Sequence, residues 1–402
     1  MKKKILLFIL ALTTICSFTA CTVLDGDDDD PPTPVVGTPI DYNYDGTGND
    51  NQAGNVIADD SNANYITNRV VLNGMMQSYL TGEWKNADIA NRRPMAVMIP
   101  NNKSAMPQYG ISKASIYYEA PMESQSCTRI MGIFEDYDEL DHIGPIRSSR
   151  LYFLKEAMSF DAIYCNWGLA VPYVGPVINT DAVDNISAAV MGIDNPSDEA
   201  FERDAERKAA GYATEYTGIL TIDGYNSAVK RQGYETTYRD RYEQNFLFAK
   251  DGYVATYDDF SDATIISPGG TSADHAGGGY AHNKPYFVYD PDTHLYTRYQ
   301  FGAEQIDEYN DEVLQVRNII FKICDSWYAD NNGYIYMEVE GEGSFYMFTE
   351  GKLVTGVWKK EPGDSTATHY YVMGEEEMIL NQGKTWVCLI WGDYQSYITV
   401  SN

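Results

Sequence analysis

The sequence predicts a mixed domain of the α+β or α/β class, followed by a β-rich domain built as a sandwich or in barrel-like form. Three observations carry that expectation. From Arg92 to Thr256 short apolar runs alternate with helical patterns. After Tyr257 the helical periodicity stops, and from Tyr286 onward β-prone runs recur between turn residues. The expected division is residues 67–256 for the α/β domain, 257–281 for a linker or loop, and 282–402 for the β-rich domain.

Met95-Ala96-Val97-Met98-Ile99, ahead of Pro100, is a short continuous apolar run and reads as a buried strand. Ser115–Ala120 and Ile130–Phe134 read as two more. Ser148 stands where a helix N-cap belongs, and Leu151, Phe153, Leu154, Ala157 and Met158 form a helical stripe behind it. Asp161–Trp167 returns to strand. Asp198–Ala210, charged and alanine-bearing, reads as a helix, and so does Ile222–Arg231. Tyr286–Tyr289 and Leu295–Tyr299 enclose Asp290-Pro291-Asp292, which is a hairpin signal. Runs at Ile319–Ile323, Tyr334–Val339, Ser344–Phe348, Lys352–Trp358 and Trp386–Trp391 complete the β-rich part.

The N-terminus predicts export. Lys2-Lys3-Lys4 precede the apolar stretch Ile5–Ile15, which is too short to span a bilayer comfortably. The run ends in Ser17-Phe18-Thr19-Ala20-Cys21, small residues ahead of a cysteine, so 1–20 reads as a lipoprotein signal and Cys21 as the lipidated residue. Two acyl chains there would give stable anchoring, making the membrane a partner through lipid alone. Residues 21–66, with Asp27–Asp30 and Pro31-Pro32-Thr33-Pro34, cannot bury apolar area and read as a disordered tether.

Composition excludes several functions. The formal net charge is −29, so the chain repels nucleic acid, and none is expected as a partner. The 33 tyrosines suit β-strands, and also wet surfaces where rings stack on sugars. Cys127, Cys165, Cys324 and Cys388 are far apart without a C-x-x-C pair, which disfavours zinc. Disulfides Cys127–Cys165 and Cys324–Cys388, or four free buried thiols, are both open. His275 and His282 flank Gly277-Gly278-Gly279 at a spacing that fits a loop better than a metal site. No G-x-x-x-x-G-K-[ST], H-E-x-x-H or G-x-S-x-G is present, so no cofactor or metal is expected.

Several segments together resemble a known family. They are Arg93–Ile99, Met106-Pro107-Gln108-Tyr109-Gly110-Ile111-Ser112-Lys113-Ala114, Tyr118-Glu119-Ala120-Pro121-Met122-Glu123, Thr128-Arg129, Gly144–Arg150 and Asp161-Ala162-Ile163-Tyr164. Gly356-Val357-Trp358-Lys359-Lys360 and Leu380–Trp386 extend the likeness over about residues 92–394. The pattern is similar to the YerB-type lipoproteins, defined as a domain of unknown function (DUF3048). The resemblance implies a lipid-anchored envelope protein of Gram-positive type with two domains. The family carries a histidine after the Asp-Ala-Ile-Tyr strand where Asn166 stands here, and a later Pro-His-Asn segment where Ala213-Thr214-Glu215 stands. Acid–base work by those histidines would be absent from this member.

Glu119 and Glu123 bracket a strand end, and paired carboxylates can act as acid and base in glycoside cleavage. The alternative is that they pair with Arg129, Arg147 or Arg150. Asp161 is a third candidate catalytic carboxylate. Gly144–Arg150 leads from a turn into a helix whose first N–H groups are free, so Arg147, Ser148 and Arg150 are candidate holders of a carboxylate or phosphate, with Arg129 beside them. Asn166 and Trp167 end a strand where α/β sheets place ligands, and Trp167 either stacks on a sugar or closes the core. Two functions remain: a surface lipoprotein that binds a cell-wall polymer or an envelope glycan, peptide or partner protein, and a wall-polymer hydrolase or lytic transglycosylase using Glu119 or Glu123.

Overall fold

The computed structural model describes residues 63–123, 127–269, 279–363, 365–373 and 376–402. The expected leader, Cys21, most of the expected tether and His275 lie outside those residues. The main elements in chain order are β1 (Met95–Pro100), β2 (Ile116–Pro121), β3 (Thr128–Phe134), α1 (Leu151–Ser159), β4 (Ile163–Asn166), α2 (Val171–Ile178), β5 (Asn185–Ser187) and α3 (Ile222–Gln232). There follow β6 (Ile265–Ser267), β7 (Tyr286–Asp290), β8 (Leu295–Gln300), β9 (Asn318–Cys324), β10 (Gly341–Thr349), β11 (Lys352–Lys360), β12 (His369–Val372), β13 (Glu376–Glu377), β14 (Thr385–Trp391) and β15 (Thr399–Ser401).

The main sheet runs β13-β12-β11-β10-β9-β14-β2-β3-β1-β4-β5. Its central joint is parallel: β14 lies between β9, with Asn318 opposite Thr385, and β2, with Thr385 opposite Ile116. Strands from both ends of the chain therefore share one sheet. A parallel strand covered on both faces reads as a near-continuous apolar run, and β2, β9 and β14 are buried throughout, with Glu119 and Lys322 as paired exceptions.

Alternate side chains divide into two cores. On one face Met98, Tyr118, Ile320, Val387 and Leu389 pack with Tyr152, Phe153 and Leu154 of α1 and Val174 of α2. On the other, Val97, Tyr117, Ile319, Phe321 and Trp386 pack with Tyr225 of α3 and with Phe287 and Tyr296 of a second sheet. That second sheet orders β8-β7-β6-β15, with Ala303–Glu304 and Gln315–Val316 both pairing β8. A buried ion pair, Lys322 Nζ to Glu156 Oε1 at 2.7 Å, ties α1 to β9.

Several expectations are corrected. The sheets stay open, without the barrel-like form, because β14 inserts between β9 and β2 instead of closing on the other C-terminal strands. The cap of α1 is Arg150, not Ser148, and it makes no side-chain capping bond. Asp198–Ala210 is not one helix: Phe201–Arg203 pairs with Gly218–Leu220, and Asp204 caps a helix only five residues long, Ala205–Ala209. Phe201 is 9% exposed, and its burial on the strand outweighs the weak propensity of a short charged segment. Cys127, Cys165, Cys324 and Cys388 are free, buried thiols.

Candidate functional site

The parallel strands β1, β2 and β4 all end at one edge of the sheet, and the segment before α1 crosses that edge. Arg147 N donates to Met98 O at 2.8 Å, Trp167 N to Arg147 O at 3.1 Å and Ser149 N to Gly168 O at 2.8 Å. The crossing is close enough to require glycine. Gly168 has φ +100°, and a Cβ there would stand 2.4 Å from Ser148 Oγ.

This path gathers arginines. Arg129, on β3, is 5% exposed; its Nη1 donates to Ser148 O at 2.5 Å, and its Nε has no partner. Arg150 forms an ion pair with Glu123, and its Nη1 donates to Ser149 O at 2.7 Å. Arg147 stands over the Tyr216 ring at 5.5 Å with its Nε buried and unpartnered. Arg203 stands over the Trp167 ring at 4.0 Å.

The electrostatics of this corner are unbalanced. Burial, and then the charges of Arg150 and Arg147, push the Arg129 guanidinium down to about 9, with Glu123 opposing. Burial and the Arg147 charge also lower that of Arg203. Among the described residues, Glu123 is the one carboxylate that ion-pairs with any of these four arginines. The uncapped N-terminus of α1, nine residues long, adds the positive end of a helix dipole. Like charges held together in a protein of net charge −29 form a ready seat for a carboxylate or phosphate.

The other candidates lie apart. Glu119 is wholly buried. Its Oε1 accepts from Asn101 (3.0 Å), Thr128 (2.6 Å) and Asn283 (3.1 Å), while its Oε2 pairs with Arg298 at 2.9 Å and accepts from Trp386 at 3.2 Å. It is closed to substrate, so the paired-carboxylate arrangement with Glu123 is not formed. Asp161 is also sealed: it sits at the opposite end of β4, bound to Arg93 and Arg239, which also hold Asp184. It caps a structural charge network and is removed from the site.

Asn166 and Trp167 border the corner with their groups already engaged. Asn166 Nδ2 donates to Gly168 O at 2.7 Å, and its Oδ1 accepts from Ser187 at 2.8 Å. Trp167 is half-buried against Phe201, and Arg203 covers a face of its ring. Both are held by partners within the protein. Ser148 adds its carbonyl to Arg129, and its hydroxyl donates to Trp167 O at 3.4 Å. Arg203 was not signalled by the sequence, because it lies in the segment that reads as helix.

A cavity of ≈ 700 Å³ lies elsewhere, lined by Ser112, Tyr117, Glu312, Arg317 and Lys384 among others. Its lining mixes both signs: the carboxylates Glu83, Glu304 and Glu312 stand with Arg317, which pairs with Glu350, and with Lys384, which donates to Ser112 O. The arginine corner, with its surplus charge, is the stronger candidate.

Comparison with known proteins gives one consistent result. Residues 80–235 match the N-terminal domain, and 278–387 the C-terminal domain, of the family described as "Protein of unknown function (DUF3048)". YerB of Bacillus subtilis (strain 168), by its name a candidate lipoprotein, is 25% identical over 315 residues, spanning 78% of this chain and 86% of YerB. The crystal structure of the YerB protein from Bacillus subtilis has the same fold, with a TM-score of 0.66 at 23% identity over 81% of this chain and 99% of that one. Among the described residues, no helix is long and apolar enough to cross a membrane.

Proposed function

This chain belongs to the DUF3048 family of YerB-type proteins, and on that premise we propose that it is an exported, lipid-anchored protein whose arginine corner binds an anionic group of a cell-envelope polymer or partner. The observation that carries the reading is the run of neighbouring arginines, Arg203 beside Arg147 and both Arg147 and Arg150 beside Arg129, with one ion-paired carboxylate, Glu123, at Arg150. An anion seated there relieves the repulsion that burial imposes on Arg129 and meets the free N–H groups of α1. Lipid on Cys21 and the polar segment up to about residue 62 hold the domain within reach of the wall, and Tyr65 and Ile66 already belong to the fold through Ala249 and Phe248.

Hydrolysis is the second reading, and the geometry disfavours it. Glycoside hydrolysis canonically uses two carboxyl groups flanking one sugar bond, and a transglycosylase needs at least one free acid there. Glu119 is enclosed by Arg298 and four hydrogen-bond donors, and Glu123 is engaged by Arg150. The test is incubation of the purified chain with cell-wall material, beside an Arg147→Gln/Arg150→Gln variant. The expected result is co-sedimentation of the native chain, its loss in the variant, and no new reducing ends. Equal sedimentation of both forms, or release of reducing ends, contradicts the reading.

A further inference from the structure

Beside the arginine corner stands a short antiparallel hairpin, Ser326–Tyr328 paired with Ile335–Met337. Its two faces differ. Ile335 and Met337 are buried in the core that contains α1. On the opposite face Trp327 and Tyr336 are direct cross-strand partners, their rings stacked at 4.6 Å and 22°. Trp327 is 46% exposed. Trp327 is left about half in water beside the partly buried Tyr336, and such amphipathic rings suit contacts with a ring-shaped ligand.

The pair is continuous with the arginines. Tyr334 lies two residues before Tyr336, about 7 Å along an extended chain. Its ring carries the Arg150 guanidinium at 5.5 Å and packs edge-on against Tyr173 of α2 at 5.6 Å. One strip of surface therefore passes from Arg150 through Tyr334 to Tyr336 and Trp327. Charge changes sign along it. Asp330 sits in the hairpin turn, Glu338 follows the hairpin, and Glu340 pairs with Lys155 of α1. An anion is favoured at the arginine end and repelled at the hairpin, where an uncharged ring fits the aromatic surface left exposed.

We propose that Trp327 and Tyr336, extended by Tyr334, form a stacking platform for an uncharged sugar ring, so that the ligand is a glycan whose anionic substituent lies at the adjoining arginine corner. The platform stands on its own geometry; the anionic end rests on the function proposed above. The test is calorimetric titration of the full chain with chitotetraose, an uncharged oligosaccharide, and separately with pyrophosphate. Chitotetraose binds the native chain and quenches tryptophan fluorescence, and Trp327→Ala/Tyr336→Ala weakens it about tenfold or more. Trp327→Phe, which keeps a ring, restores most of the affinity and guards against a variant that misfolds. No binding of chitotetraose to the native chain, or equal binding to the double variant, overturns the platform. Pyrophosphate binding without chitotetraose binding removes the platform alone, whereas the reverse removes the anionic end and upholds the platform.

Discussion

Arg298 donates from Nη2 to Oε2 of Glu119 at 2.9 Å, and both side chains are sealed from solvent. The two residues come from opposite halves of the chain, β8 and β2. The guanidinium also stands 4.0 Å over the Trp386 ring and donates from Nε to Gln305 at 2.7 Å, while Asn101, Asn283 and Gln300 join the pair into one buried polar seam. This seam locks the second sheet onto the main one.

Removing one partner leaves an uncompensated buried charge. Glu119→Gln and Arg298→Met are each expected to destabilise the chain by about 3–5 kcal/mol. The double variant loses less than the sum, because the residues interact directly. Urea unfolding of the four forms measures this, and strict additivity would show that the pair is not coupled.

His369 gives the stability a defined pH dependence. Its Nδ1 lies 2.7 Å from Glu377 and its Nε2 3.4 Å from Glu243. The hydrogen bond to Glu377 raises its proton affinity, burial opposes this, and Glu243 assists. With the folded value above the unfolded one, the contribution is fully present below the unfolded value and lost as pH rises through the folded value. His369→Gln is expected to cost about 0.5–1 kcal/mol near pH 5 and close to nothing near pH 9. Unfolding midpoints of both proteins across that range check it; a pH-independent difference contradicts it.

Anchoring is tested on the intact precursor. Cys21→Ser is expected to abolish incorporation of labelled fatty acid and move the chain out of the membrane fraction. Persistence in the membrane fraction without label places the anchor elsewhere.

The strands were readable from local pattern, and the joints between them were not. Met95–Ile99, Tyr286–Tyr289 and Trp386–Trp391 announce themselves as apolar or β-branched and aromatic runs, and each forms a strand. Nothing local tells β14 to insert between β9 and β2, since strand order depends on partners more than 60 residues away. The arginine corner was half legible. Arg147 and Arg150 lie in one turn motif, with Arg129 on the strand before it. Arg203 arrives through the pairing of Phe201–Arg203 with Gly218–Leu220, which the charged pattern conceals. Glu119 and Asp161 look like catalytic carboxylates because sequence shows charge but not enclosure; Arg298 and Arg239 close them off.

The most direct measurement is calorimetric titration of pyrophosphate into the native chain and into Arg147→Gln/Arg150→Gln, at low and high salt. Binding to the native chain that weakens with salt and disappears in the variant is the predicted result. No heat from the native chain, or equal affinity in the variant, would contradict the arginine corner as an anion site.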